Sequence, residues 1–139
     1  MSINYYTGRA IKIKDGDSFL FSSNNKIREI RIKSIDAPEK GQPFYAYSAN
    51  ILRSLIFGKT VIVGVISKDG YRRYVASVRV GNIDVSETML KLGAAFHYKL
   101  FCKDRNLSLL EANAKLRKVG IWSIETIDYP WLFRLRTAY

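Results

Sequence analysis

Asp36 and Glu39 stand three residues apart around Pro38 in the run REIRIKSIDAPEKGQPF, and Arg31 stands five residues before Asp36. Asp15 and Asp17 flank Gly16 in an earlier turn, and Arg73 opens a later strand-like run. Carboxylates are hard oxygen ligands that suit Ca2+ or Mg2+ and not zinc. A divalent cation held by them neutralises a phosphate oxygen and lowers the barrier to attack on phosphorus. A neighbouring carboxylate can position or deprotonate the attacking water. Two arginines can grip the remaining oxygens and follow the extra charge of the transition state. Singly, each piece has a plainer reading: Asp-Gly-Asp is a common turn, Asp-Ala-Pro-Glu can merely start a loop, and Arg31 can be one more exposed base. Jointly, and in this order, they favour a site that holds a cation and a phosphate together.

Such a site needs strand ends that converge. The run GRAIKIK alternates Ile11 and Ile13 with Lys12 and Lys14, SFLFS follows the Asp15–Asp17 turn, and IREIRIK sets Ile30 and Ile32 against Glu29, Arg31 and Lys33. Three strands joined by tight turns make an antiparallel meander. From Arg31 to Asp36 an extended chain would span about 17 Å, so the backbone must bend between them if both are to reach one phosphate. Pro43 suits the first turn of a helix whose Phe44, Tyr47, Ile51 and Leu55 recur at helical spacing, with Gly58 as its stop. Two more strands, KTVIVGVIS and RYVASVRV, flank an Asp69-Gly70 turn. Asp84 and Glu87 have capping-box spacing ahead of a short helix ended by Gly93. A last helix is expected over about 106–119, with Leu109, Ala112, Leu116 and Val119 on one face and Gly120 as its stop. The aromatic DYPWLFR segment is expected to pack back on the domain. The sum is a β-rich α+β fold, a five-stranded Greek-key barrel of the OB type with about three α-helices.

The chain of 139 residues is one domain's worth, 47% hydrophobic and 25% charged. Lys and Arg number 23 against 12 Asp and Glu, a net charge of +11 that favours a polyanionic partner, nucleic acid before an anionic membrane. Cys102 is the only cysteine, which excludes an internal disulfide; a buried thiol is expected. His97 is the only histidine, and nothing supports a nucleophilic triad built on it. No segment reaches the roughly 18 apolar residues of a membrane span. The N-terminus lacks an apolar run after a basic start, so an intracellular protein or a processed secreted form is expected.

The pattern resembles the staphylococcal nuclease (thermonuclease) family. The family reads Asp-Gly-Asp-Thr, then Arg with Asp five residues later, then Asp-x-Pro-Glu, Asp-x-Tyr-Gly-Arg and a late Gly-[Ile/Leu]-Trp. Here stand DGDS at Asp15–Ser18, RIKSIDAPE at Arg31–Glu39, DGYRR at Asp69–Arg73 and GIW at Gly120–Trp122, with GQPF and PWLFR as further points of likeness. The resemblance implies one domain over 1–139, its core about 7–123 and its aromatic tail 124–139. It implies a Ca2+-dependent phosphodiesterase acting on DNA and RNA, single-stranded or locally melted, cleaving the P–O5′ bond to leave 3′-phosphate ends, and a monomer. It assigns Asp17 and Asp36 as carboxylate ligands of calcium, the Ala37 carbonyl as a further ligand, and Asp15 as a ligand in the outer sphere or through water. Glu39 becomes the general base, Arg31 and Arg73 the phosphate clamp, and Tyr71 and Tyr98 the lining of the nucleotide pocket. The family's glycine before the second arginine is Arg72 here. Either Arg72 takes a strained positive φ, or the turn differs and Gly70 takes over. Ser18 keeps the family's hydroxyl.

Two functions compete on this pattern. An active nuclease uses the full set of carboxylates and arginines. A binding module on the same fold would need no metal and would lose affinity steeply with salt. The intact carboxylates favour catalysis, because in a nucleic-acid groove they repel phosphate unless a cation lies between.

Overall fold

The computed structural model describes residues 3–99, 104–125 and 127–137; Cys102 lies outside them. Five strands close a barrel: β1 (Asn4–Asp15), β2 (Ser18–Ser23), β3 (Lys26–Ile32), β5 (Val61–Lys68) and β6 (Tyr74–Val80). The order runs β3-β2-β1-β5-β6, antiparallel throughout, and a short parallel ladder closes it by setting Ile30 against Tyr74 and Ile32 against Ala76. Of the two-residue strands, β4 (Ile35–Asp36) and β8 (Phe96–His97) pair in a separate buried ladder, and β7 (Ile83–Asp84) pairs with β6. The helices are α1 (Tyr45–Ile56), α2 (Val85–Lys91), α3 (Arg105–Arg117) and α4 (Pro130–Thr137), with a 3-10 turn at Gly120–Ser123. The α+β barrel matches expectation, and the described residues hold one helix more than expected, inside the aromatic tail.

Alternation fills the barrel. Phe19, Ile30, Ile32, Val61, Val63 and Ala76 are fully buried, as a period-two strand with one face inward requires. The first strand departs from strict alternation. Ala10 and Ile13 point inward while Ile11 is 44% exposed, because the register with β2 shifts between Ala10 and Lys12. One extra residue in a bulge turns the next side chain to the other face.

Helix α1 buries Ser48, Leu52 and Ile56, with Tyr47, Ile51 and Leu55 packed at the edge. Its N-cap is Phe44, at φ 68, so Pro43 precedes the helix. Asp84 caps α2, accepting from the Glu87 N–H, and Gly93 follows at φ 63. The expected face of α3 is corrected. Leu109 and Leu116 are 67% and 83% exposed, and the buried side chains are Leu107, Glu111 and Ala114. Glu111 is inside because it accepts the His97 N–H at 2.7 Å and pairs with Lys99, which removes the penalty on a buried carboxylate. The left-handed cap of α3 is Lys118, two residues before Gly120.

One glycine is demanded by close approach. A Cβ at Gly16 would fall 1.8 Å from Ser48 Oγ and 2.8 Å from the Ala37 Cβ. Gly16→Ala should therefore push the Asp15–Asp17 turn off α1. The expected loss is about 1–3 kcal/mol of stability, read by urea denaturation; an unchanged midpoint would show that the turn is free to shift.

Candidate active site

The Asp15–Asp17 turn and the segment after β3 meet at one end of the barrel. Asp15 Oδ1 accepts from Ser18 Oγ at 2.7 Å and from the Asp17 N–H at 3.2 Å, closing the turn on itself. The Ile32 N–H donates to the Asp17 carbonyl, and the Ala37 N–H donates to Asp17 Oδ2 at 2.8 Å. Between Arg31 and Asp36 the chain turns at Lys33 and Ser34, and Ser34 takes a φ of 72. This is the required bend. Asp36 then pairs with Phe96 in the β4–β8 ladder.

Arg31 lies between the two carboxylates. Its guanidinium is 3.5 Å from Asp17 Oδ2 and 3.4 Å from Asp36 Oδ1, and it donates to the Ile32 carbonyl at 2.9 Å. Asp17 and Asp36 are both buried, so their charges depend on such partners. Burial, reinforced by the neighbouring Asp17 carboxylate, pushes the Asp15 carboxyl up to about 7.

On the facing turn, Asp69 Oδ1 accepts the backbone N–H groups of Tyr71 and Arg73, and Oδ2 accepts Arg73 Nε at 2.8 Å. Burial acts to raise the Asp69 carboxyl, and these hydrogen bonds outweigh it and hold the group below its ordinary value. Asp69 thereby aims Arg73 into the same cleft as Arg31. Arg72 is displaced from that cleft and has φ 66; the positive φ falls on Arg72 itself, and Gly70 does not take it over.

The cleft has a volume of about 1080 Å3, and its lining includes Asp15, Asp17, Arg31, Asp36, Glu39 and Arg73. Tyr71 and Tyr98 also line it: Tyr71 is 83% exposed under the Arg73 guanidinium, and Tyr98 packs its ring edge on Trp131. His97 is buried, with Ser108 Oγ 3.1 Å from Nδ1, in the packing between β8 and α3.

One residue of the cleft was not anticipated from sequence. Arg134, on α4, donates to Asp36 Oδ2 at 2.8 Å, to Asp36 Oδ1 at 3.2 Å and to Glu39 Oε1. Burial would lower its pKa, but the bonds and charges of Asp36 and Glu39 raise it. Helix α4 is pinned by aromatic packing. Tyr129 and Trp131 stack at 4.7 Å between centroids, and both meet fully buried Phe96 edge-on. Buried Gln42 adds a staple, accepting the Glu39 N–H through Oε1 and donating Nε2 to the Asp128 carbonyl, each at 2.8 Å. The PWLFR run was the signal for Arg134, but nothing local in it specifies a partner 98 residues away.

Among the described residues, no three carboxylate, histidine or cysteine side chains converge as a ready-made metal centre. The donor set nonetheless suits a hard cation. Two buried carboxylates share one guanidinium, and such cations complete their shells with water and substrate oxygens. No described helix is long and apolar enough to cross a membrane.

The family model described as "Staphylococcal nuclease homologue" matches residues 29–124. An "Uncharacterized endonuclease" of Escherichia coli O157:H7 is 35% identical over 130 residues, covering 93% of this chain and 85% of that protein. An "Uncharacterized endonuclease" of Haemophilus influenzae is 34% identical over 118 residues, covering 84% and 66%. The "Probable staphylococcal-like nuclease CAN3" of Oryza sativa subsp. japonica is 37% identical over 105 residues, covering 76% of this chain and 28% of that longer protein.

Proposed function

The chain belongs to the staphylococcal nuclease homologue family, and from that premise we propose that it is a Ca2+-dependent nuclease. It hydrolyses phosphodiester bonds of DNA and RNA at the P–O5′ bond and leaves 3′-phosphate ends. The observation that carries this reading is Arg31 held between Asp17 and Asp36 in a cleft that also receives Arg73 and Glu39. Carboxylates and guanidinia set side by side are the complement of a cation and a phosphate bound together.

Asp17, Asp36 and the Ala37 carbonyl would hold calcium, with Asp15 acting through water. When bound, the cation supplies positive charge to a phosphate oxygen. Arg31 and Arg73 grip the other oxygens and stabilise the added charge of the pentacoordinate transition state without a change in protonation. Glu39 takes the proton of the attacking water. Its Oε1 is engaged by Arg134, which leaves Oε2 the less encumbered acceptor. Tyr71 and Tyr98 offer ring faces to unpaired bases, which favours single-stranded or locally melted substrate. The protein acts as a monomer in this reading.

The test is cleavage of single-stranded DNA with Ca2+, with and without excess chelator. Cutting that requires Ca2+ and leaves 3′-phosphate ends supports the reading, and cutting that persists in chelator sinks it. Arg134 favours a second reading, a module that binds without cutting, since its guanidinium already balances Asp36 and Glu39. That reading predicts salt-sensitive binding indifferent to chelator, with no cleavage.

Arg134→Ala separates the effects. A divalent cation on Asp36 must displace or share with this guanidinium. Its removal should lower the Ca2+ concentration that half-saturates the thermal shift by about tenfold, the scale of one charge-assisted hydrogen bond. An unchanged midpoint with a raised KM would instead place Arg134 on the substrate.

A further inference from the structure

A second cleft adjoins the first, sharing Glu29 in its lining. Its volume is about 460 Å3, and Lys26, Arg28, Lys68, Arg72 and Tyr74 line it. Among the described residues none of these four cations lies within ion-pair distance of a carboxylate, while Glu29 itself is taken by Lys14 at 2.9 Å and faces Arg73 at 4.0 Å. Four like charges gathered in one hollow repel each other and focus a positive potential that draws in a polyanion.

The charges are also placed. Arg28 lies 4.8 Å above the Tyr6 ring and 5.8 Å from that of Tyr74, and Lys68 lies 5.3 Å from the Tyr74 ring. Arg72 contributes from a left-handed backbone, φ 66, that glycine adopts freely and arginine rarely does. Adjacent arginines in one turn therefore serve different hollows, Arg73 the first and Arg72 the second. Arg28 and Arg31 repeat that division on β3, about 10 Å apart along the strand.

We infer that this second cleft is a subsite for the sugar-phosphate backbone of the nucleic-acid strand running on from the scissile phosphate. The inference rests on the nuclease reading for the identity of its ligand. Lys26, Arg28, Lys68 and Arg72 contact backbone phosphates, and Tyr74 holds Arg28 and Lys68 in position. Barrels of this type bind roughly 4–16 nucleotides of single strand, and a basic cleft adjoining the first lengthens the track open to such a strand.

The test compares wild type with Arg72→Gly and with Lys68→Ala/Arg72→Gly. Glycine suits φ 66, so Arg72→Gly is expected to fold with an unchanged or raised melting temperature. Binding of dye-labelled dT12 is followed in chelator as salt is raised. KM is then measured in Ca2+ for a thymidine dinucleotide and for dT12. The expected result for Arg72→Gly is a threefold to tenfold weaker affinity for dT12, a salt slope shallower by about 0.7, a matching rise in KM for dT12, and an unchanged KM for the dinucleotide. The double variant should roughly double the change in slope. Equal losses on both lengths, or no loss on dT12, would overturn the subsite. If wild type cuts neither length, the nuclease reading fails, and the dT12 binding series still decides the subsite.

Discussion

Asp36→Asn should fold and should lose Ca2+-dependent cleavage by about a thousandfold or more. Asparagine keeps the shape of the side chain and removes its charge. The cation's stabilisation of transition-state charge amounts to several kcal/mol, and each 1.4 kcal/mol is about a decade in rate. The fold should tolerate the change better than the chemistry does. Asp36 carries two guanidinia, but Arg31 keeps Asp17 and Arg134 keeps Glu39. Neither cation is orphaned, so the loss of stability should fall short of the roughly 3–5 kcal/mol typical of a broken buried pair. Single-turnover cleavage of labelled single-stranded DNA and a circular-dichroism melt check both halves. A folded Asp36→Asn protein that cuts at the wild-type rate removes Asp36 from the mechanism.

Arg31→Ala has a comparable effect on rate by a different route. Removing one preorganised donor to the transition-state oxyanion costs about a hundred- to a thousandfold in kcat. Asp17 also loses its guanidinium, while Asp36 retains Arg134. With Asp17 only 6% exposed, the destabilisation should approach about 3 kcal/mol. Bound Ca2+ would restore positive charge beside Asp17. Saturating Ca2+ should therefore raise the melting temperature of Arg31→Ala by more than that of wild type. Arg31→Lys should recover much of the stability and little of the rate, because an ammonium supplies charge without the planar fork. Equal thermal shifts in wild type and Arg31→Ala would mean that Arg31 and the cation do not share Asp17.

The strands were legible in sequence where the inward face alternates, as in β2 and β3: Ile30 and Ile32 could only point to a core, and the β5–β6 turn at Asp69-Gly70 falls where turn chemistry allows. Ile11 was misread because a bulge leaves no mark in composition. The face of α3 was misread because periodicity weighs leucines and cannot see that Glu111 has a backbone N–H and Lys99 waiting for it. The carboxylates and Arg31 were legible since they lie within 25 residues of one another, joined by short turns. Arg134 was not, since the aromatic stack that carries it to Asp36 is a tertiary contact, specified by Phe96 and the rings around it rather than by its own neighbours in sequence.

The parallel ladder between β3 and β6 also carries a consequence for synthesis. When the ribosome has released β3, the chain already contains Asp15, Asp17 and Arg31, yet the free edge of β3 waits for Tyr74–Ala76 to arrive. Asp36 waits longer, for Phe96, and Glu39 longer still, for Gln42 to find the Asp128 carbonyl. Pairings this far apart in sequence form late and cooperatively. A nascent chain still held on the ribosome thus carries nearly all the residues of a nuclease before it has the architecture of one, and assembly of the site is deferred until Asp128 has been made.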